Sequence, residues 1–375
     1  MIIYSFVFFI LFYFAYIVDY KGLRGDRRPF YWIESIGLVL IITCQWRMGG
    51  DNLAYEVYYK DIPTFSQLQI DELAIGTKYQ PLWYIFTSLL KSITPSYVFF
   101  HFVHSAILTI ITFWFLQKYS KYELSIILIY VVSLQFFYFN LEIQRESMAI
   151  MCFLIAVKYL INKSYIKYYL ICVIAFFFHI SAIFLLLIPP MLIFTKRLDS
   201  PVKVLAGSII SAVIIVIAFN SILNSFIPSE ELEVADRVMN QVENYSEVEV
   251  SFVHALIGGV ASAVPVYLVL LIRLKKRLEF DIFTQLCIVL IIVYFCHAYV
   301  TGISRFANYL LFPFYICLVD TIAKTYRYKS YKVLVLATIG LLVALTVYNE
   351  TRPVPINGVV QHHYNLFIPY RTIFD

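Results

Sequence analysis

Three arginines stand apart from the other cations of this chain. Arg47, Arg145 and Arg305 each sit singly at the edge of an apolar run, whereas most other Lys and Arg residues cluster in short loops. A guanidinium keeps its charge at neutral pH and presents a planar fork of N–H donors that matches phosphate oxygens. Three of them converging would grip a pyrophosphate. Groups able to take a proton accompany them. Asp51 lies in Trp46-Arg47-Met48-Gly49-Gly50-Asp51-Asn52-Leu53-Ala54-Tyr55, Glu142 three residues before Arg145, and His179 directly after Phe176-Phe177-Phe178. A phosphorylated leaving group held by arginines, with a carboxylate or an imidazole as general base, is the chemistry such residues suit.

Each residue also has a plainer reading. Taken singly, an arginine at a membrane edge can snorkel to water or pair locally, as Arg145 could with Glu142 at i+3 spacing. Gly49-Gly50 permits a tight turn and a close approach to the main chain. Asp51 and Tyr55, four apart, would share one face of a helix, and Asp51 could simply be that helix's N-cap. His179 on an apolar segment serves a structural hydrogen bond as readily as base catalysis. Arg305, Asn308 and Tyr309 occupy i, i+3 and i+4 and line one helical face. The remaining histidines, His101, His104, His254, His297, His362 and His363, have no metal-ligand spacing, and there is no Walker motif or G-x-S-x-G. The expectation is a reaction without metal or other cofactor.

These residues must be positioned by membrane helices. The 375-residue chain is 61% apolar and only 14% charged, against about 25% charged in soluble domains. Apolar runs of roughly 18–20 residues recur between short charged clusters, the pattern of transmembrane segments. The net charge of +5 reads as topology rather than nucleic-acid binding, because the basic clusters mark cytoplasmic loops. The six cysteines all lie in apolar runs and read as buried small hydrophobes. No cleavage site follows Ile2–Val18, which is read as a first span. Charge alternation then puts Arg47, Arg145 and Arg305 together on the external side. Gln80–Ile93 is too short to cross and reads as re-entrant or interfacial. Leu124–Phe139 reads as one span, and Tyr168–Phe194 as two short helices meeting at His179. The expected fold is an all-α, polytopic integral membrane protein of about 11–13 membrane segments, some of them short or re-entrant. Residues 1–375 form a single transmembrane domain, with external loops at about 46–79 and 228–251 and an external tail at 349–375.

At these same positions the chain resembles a known family. Arg47-x-Gly49-x-Asp51 with Tyr55 is similar to the R-x-G-x-D-x-x-x-Y element of the EpsG-type, Wzy-like bacterial polysaccharide polymerases. Ile143-Gln144-Arg145-Glu146-Ser147-Met148-Ala149 resembles the family's I-R-Q-x-x-A stretch with Gln and Arg in shifted order. Phe178-His179-Ile180-Ser181-Ala182 is similar to F-H-x-S-A, and Arg305 to Tyr309 to R-x-x-x-Y, with Pro369-Tyr370 a weaker echo. The resemblance implies a GT-C-like enzyme of the bacterial inner membrane with its active site on the periplasmic or external face. It would join oligosaccharide repeat units carried on undecaprenyl pyrophosphate, with lipid-linked glycans as both donor and acceptor. Membrane lipid, a chain-length regulator and a flippase would be its partners, and nucleic acid would not. Arg47, Arg145 and Arg305 would hold the pyrophosphate. His179, Asp51 or Glu142 would be the base, and Tyr55, Asn308 and Tyr309 would contact glycan. A glycan ligase and a lipid-linked oligosaccharide flippase are the rival readings. A transporter should show charged residues mid-span and two related halves, and neither is evident in the sequence.

Overall fold

The computed structural model describes residues 2–22, 26–69, 80–226, 252–297, 299, 303–351, 353–356, 359–367 and 370–374. The chain divides into two compact units, one of Met1–Lys158, Val173–Ile180 and Val343–Asp375, the other of Tyr159–Cys172 and Ser181–Leu342.

Helix dominates. Six helices among the described residues are long and apolar enough to cross a membrane, or seven when a bent pair is taken as one span. Tyr165–Phe178, Ile180–Thr195 and Ile282–Cys296 are apolar but shorter. Together these make ten, so the expected 11–13 segments are reached only when the shorter Arg28–Thr43 and Pro81–Ile93 are counted as well.

The first unit begins with α1 (Ile2–Phe14), continued by a π-helical stretch Ala15–Tyr20. Asp19 in that stretch accepts from the Ser125 backbone N–H at 2.7 Å and from its hydroxyl at 2.8 Å. This ties the first span to α6 (Glu123–Val132). Helix α2 (Arg28–Thr43) packs along α5 (Tyr97–Tyr119). Between them lie α3 (Asn52–Asp61) and α4 (Pro81–Ile93). Helix α4 opens on proline, whose missing N–H costs nothing at a helix start, and is anchored by the fully buried Trp83. Its 13 residues reach only about 20 Å, too little to cross, as expected for Gln80–Ile93.

The span expected at Leu124–Phe139 is instead broken. Helices α6 and α7 (Gln135–Leu141) meet at a 70° bend. Leu134 between them takes a left-handed conformation, φ 59°. Such a conformation costs a non-glycine residue roughly 1–2 kcal/mol. The buried Phe136, Phe137 and Phe139 just beyond the bend supply the packing that holds it. The bend aims the end of α7 at the loop between α2 and α3. Helix α8 (Gln144–Ile161) follows directly, and α9 (Tyr165–Phe178) stops at His179, where a 3-10 segment Ile180–Leu187 and α10 (Ile188–Thr195) continue. The break at His179 is the one the sequence suggests.

In the second unit, α13 (Ile282–Cys296) is the central helix. It is apolar all round and buried from Phe283 to Val293, which suits a helix enclosed on every side. Helices α10, α11 (Pro201–Phe226), α12 (Phe252–Lys275) and α14 (Ile303–Thr325) pack on it. Gly259 lets α12 approach closely, since a Cβ there would lie 2.4 Å from the Tyr294 carbonyl oxygen. At one end the buried Arg273 clamps the bundle. It donates to Asp320 at 2.8 Å, Thr284 at 3.1 Å, Thr321 at 3.2 Å and the Glu279 carbonyl at 3.0 Å.

After α15 (Lys329–Thr351) the chain forms a short antiparallel hairpin, β1 (Pro353–Ile356) with β2 (Val359–His362), an addition to the expected all-α fold. A 3-10 turn, His363–Leu366, leads into a segment that pairs with residues 44–49. Gly49 donates to the Leu366 carbonyl at 2.8 Å, Trp46 to Arg371 at 3.0 Å, and Ile373 to Cys44 at 2.9 Å. The tail therefore covers the loop that follows α2. The expected external loop at 228–251 lies outside the described residues, as do residues 70–79 of the expected loop at 46–79, whose residues 46–69 hold helix α3 and its flanks.

Candidate functional site

The loop from Gln45 to Asp51 is held in a conformation that only part of its sequence favours. Arg47 has φ 49° and Gly49 φ 86°. A Cβ on Gly49 would fall 2.9 Å from the Leu141 Cβ and 3.6 Å from the Glu142 Cγ, so glycine is what lets the end of α7 approach. Gly50 faces Leu366 of the tail on the other side.

A buried polar network fixes this loop from below. The Gln45 side-chain carbonyl accepts from the Met48 backbone at 3.1 Å and from the Asn52 amide at 3.2 Å. The Asn52 carbonyl oxygen accepts from Tyr97 at 2.8 Å and lies 2.9 Å from His101 Nε2. Gln144 donates to the Tyr97 hydroxyl at 3.2 Å, and His104 Nε2 lies 3.1 Å from the Gln144 carbonyl. Buried polar groups are expensive unless paired, so this network locks α5, α8 and the loop into one register.

Above the loop the cations are arranged by one buried carboxylate. Glu56 accepts from Arg47 Nε at 3.1 Å on one oxygen and from Lys60 at 2.6 Å on the other. Burial pushes the Glu56 carboxyl up, but Lys60 and Arg47 more than offset it, so it lies below the ordinary carboxylate range. With Nε engaged and the guanidinium beside the Trp46 ring at 5.0 Å, Arg47 keeps both terminal nitrogens at a half-exposed surface. Those nitrogens form the flat fork a phosphate can occupy.

Glu142 sits in the turn between α7 and α8. Burial raises its carboxyl to about 7, His363 opposes the rise, Asp51 and Glu350 add to it, and a hydrogen bond from the Gly50 backbone lowers it. A base titrating near neutrality is matched to general-base work. His363 Nδ1 lies 3.0 Å from a Glu350 carboxylate oxygen. Asp51 occupies the N-cap position of α3, yet its side chain makes no capping hydrogen bond, so the plain capping role is not what it does.

The other expected residues fall as follows. Tyr55 meets the edge of Trp83 at 6.0 Å. Arg145, in the first turn of α8, donates to the Gln80 side chain at 3.5 Å. His179 is buried at its helix break. In the second unit, Arg305 and Asn308 are half-buried near the start of α14. Tyr309 is fully buried and lies 3.0 Å from the Ser181 hydroxyl, so it fastens the 3-10 segment to α14 rather than facing solvent. The first unit thus brings together Arg47, Asp51 and Glu142, with Tyr55 on α3 and Arg145 beginning α8. Among the described residues no three His, Cys, Asp or Glu side chains converge as a metal site.

Several residues of this site escape sequence reading. Glu56 and Lys60 carry the i, i+4 spacing of a helical ion pair, a signal that was there to find. Asn52, Gln45 and Gln144 look like ordinary polar loop residues, and His363 lies far along the chain from its neighbours.

A family model described as the EpsG family matches residues 29–372, nearly the whole chain. Searches of curated proteins and of solved structures give no match.

Proposed function

Because the chain belongs to the EpsG family, a Wzy-like polysaccharide polymerase family, we propose that it is a glycosyltransferase joining oligosaccharide repeat units on undecaprenyl pyrophosphate. It would work at the external face of the bacterial inner membrane. The growing glycan is the donor and the next lipid-linked unit the acceptor. The acceptor hydroxyl oxygen attacks the donor's anomeric carbon and the bond to the pyrophosphate oxygen breaks. The hydroxyl proton passes to Glu142, and the polyprenyl pyrophosphate leaves with its charge held by Arg47. Within the same unit Arg145 is the further candidate for that anion and Tyr55 for the glycan, while the roles of Arg305 and Asn308 are put to the test by substitution.

The observation that carries this reading is the Gln45–Asp51 loop, which holds Arg47 against Glu56 and meets Glu142 at Gly49. Arg47 presents a pre-oriented fork and Glu142 a carboxyl poised near neutrality. Among the three base candidates, Glu142 is favoured over the buried His179 and over Asp51, which acts on Glu142 through its charge. Loss of one charge-assisted contact to a departing group typically costs about 10²–10³ in rate. Arg47→Ala and Arg305→Lys, expressed in a strain lacking the native gene, are expected to shorten or abolish the polymer ladder. Full-length ladders from both would refute the proposal. Reconstitution with lipid-linked repeat units separates chain lengthening from transfer to another acceptor and from translocation alone.

A further inference from the structure

Glu56 is an unexpected residue to bury on so short a helix as α3. Both of its oxygens are taken by cations, Arg47 Nε at 3.1 Å on one and Lys60 Nζ at 2.6 Å on the other. An i, i+4 glutamate–lysine pair on a helix surface is ordinarily a solvated contact worth little. Here the carboxylate is buried, and its second oxygen holds a cation from a different segment. The end of α3 that carries Lys60 is fixed as well. Lys91 of α4 donates to the Lys60 and Ile62 carbonyls at 2.6 Å each, and Tyr59 donates to the Thr94 carbonyl at 3.0 Å. The short helix α4 is thus the support on which Lys60 is held.

One carboxylate cannot neutralise two cations, and each cation keeps further donors. Arg47 engages Glu56 through Nε alone, and Lys60 through one of the three N–H groups an ammonium offers. The two cationic side chains are 48% and 59% exposed, while that of Glu56 is 5% exposed. An anion arriving from solvent therefore meets the cations before the carboxylate that aligns them. Because both cations touch the same carboxylate, their nitrogens stand within the span of two linked phosphates. We propose that Lys60 is the second cation of the anion site, held beside Arg47 by Glu56, so that a diphosphate is gripped with one cation on each phosphoryl group. The arginine fork takes one phosphoryl group and the rotatable ammonium the other. Glu56 is the positioning residue of the pair, which selects a diphosphate carrier over a monophosphate one. This rests on the reading of Arg47 as a pyrophosphate ligand.

The test is binding of geranyl diphosphate and geranyl monophosphate to the full-length protein in nanodiscs, measured by calorimetry. The wild type should prefer the diphosphate. Lys60→Gln should weaken diphosphate binding about tenfold or more, as loss of one charged hydrogen bond does, and monophosphate binding by less than about twofold. Lys60→Arg should retain the preference. No preference in the wild type, an unchanged diphosphate affinity in Lys60→Gln, or an equal loss of both ligands there overturns the proposal. Equal loss is what simple loosening of Glu56 would give. The wild-type protein supplies a second reading that needs no folded variant. Bound diphosphate should slow acylation of Lys60 by an amine-directed reagent, read by peptide mass spectrometry, and the monophosphate should not. Equal labelling with and without the diphosphate overturns the proposal. Arg47→Ala, measured alongside, separates the two claims. If the wild type binds neither ligand, or Arg47→Ala binds both as the wild type does, the pyrophosphate reading of Arg47 falls. If Arg47→Ala loses the diphosphate while Lys60→Gln keeps it, the role of Lys60 alone falls.

Discussion

The two adjacent glycines of the loop offer a test of the site's geometry that needs no substrate. At Gly49 an alanine meets two separate penalties. Its φ of 86° lies in the left-handed region, where an L-residue loses roughly 1–2 kcal/mol. Its Cβ would stand 2.9 Å from the Leu141 Cβ, an atom fixed to the backbone of a fully buried residue. Helix α7 must then shift, and overpacking of this kind costs about 1–3 kcal/mol. Gly49→Ala is therefore expected to destabilise the protein by about 2–5 kcal/mol. At Gly50 the added Cβ would meet only the Leu366 methyl at 3.7 Å, an ordinary contact, and the backbone is not left-handed. There the loss of unfolded-state freedom works in alanine's favour, by about 0.4–1 kcal/mol. Both variants, purified in a mild detergent and titrated with a denaturing one, give the difference directly. Equal unfolding midpoints for the two would refute the claim that the loop is pressed against α7 at Gly49. A Gly49→Ala protein that folds should also have weakened activity, because the shift moves Glu142 away from Arg47.

Two further expectations concern stability. The Glu142 carboxyl is raised from the ordinary 4.5 to about 7, so between these values the folded protein holds a proton the unfolded chain has lost. Stability should fall as pH rises through that window and level off above it, a penalty of at most about 3 kcal/mol. Glu142→Gln removes the penalty, and its unfolding midpoint should exceed that of the wild type at pH 8 but match it near pH 4. In the second unit, Asp320→Asn takes the carboxylate from the buried Arg273, 2.8 Å away, and should cost about 2–3 kcal/mol, less than a fully buried pair because Asp320 is partly exposed. Lys203→Gln, which breaks an exposed pair with Asp199, is the control and should change the midpoint by under about 1 kcal/mol.

The helical, membrane-spanning character of the chain is legible from composition and apolar periodicity, because lipid demands that every backbone group be satisfied within the segment. The helix break at His179 is legible too, from a run too short for two full spans and from Pro189-Pro190 beyond it. The bend at Leu134 is not. Nothing in Val132-Ser133-Leu134-Gln135 announces a left-handed residue, and its cost is met by aromatic packing on residues the local pattern cannot identify. The Arg47 and Asp51 stretch stands out because charge is rare in such a chain. Its supports, Gln45, Asn52, Tyr97, His101 and Gln144, do not, since each is one polar residue whose partner lies on another helix.

The same reasoning explains why the site needs the tail. A loop carrying Arg47 and Gly49 at positive φ offers few hydrogen bonds of its own, and backbone groups near lipid cannot be left unpaired. The network of α5 and α8 fastens its side chains from one side. From the other, the Leu366 and Arg371 carbonyls take the N–H groups of Gly49 and Trp46, and Ile373 donates to Cys44. A strand-like cover of this kind is sequence-tolerant in its side chains, so the residues that pair leave no motif. What such a cover gains over solvent is permanence. It fixes the backbone that carries Arg47 and that meets Glu142 at Gly49, the pre-organisation that charge stabilisation without reorganisation calls for. It also makes Leu366, Arg371 and Ile373 part of what holds the Arg47 loop in shape, although more than half the chain separates them from it.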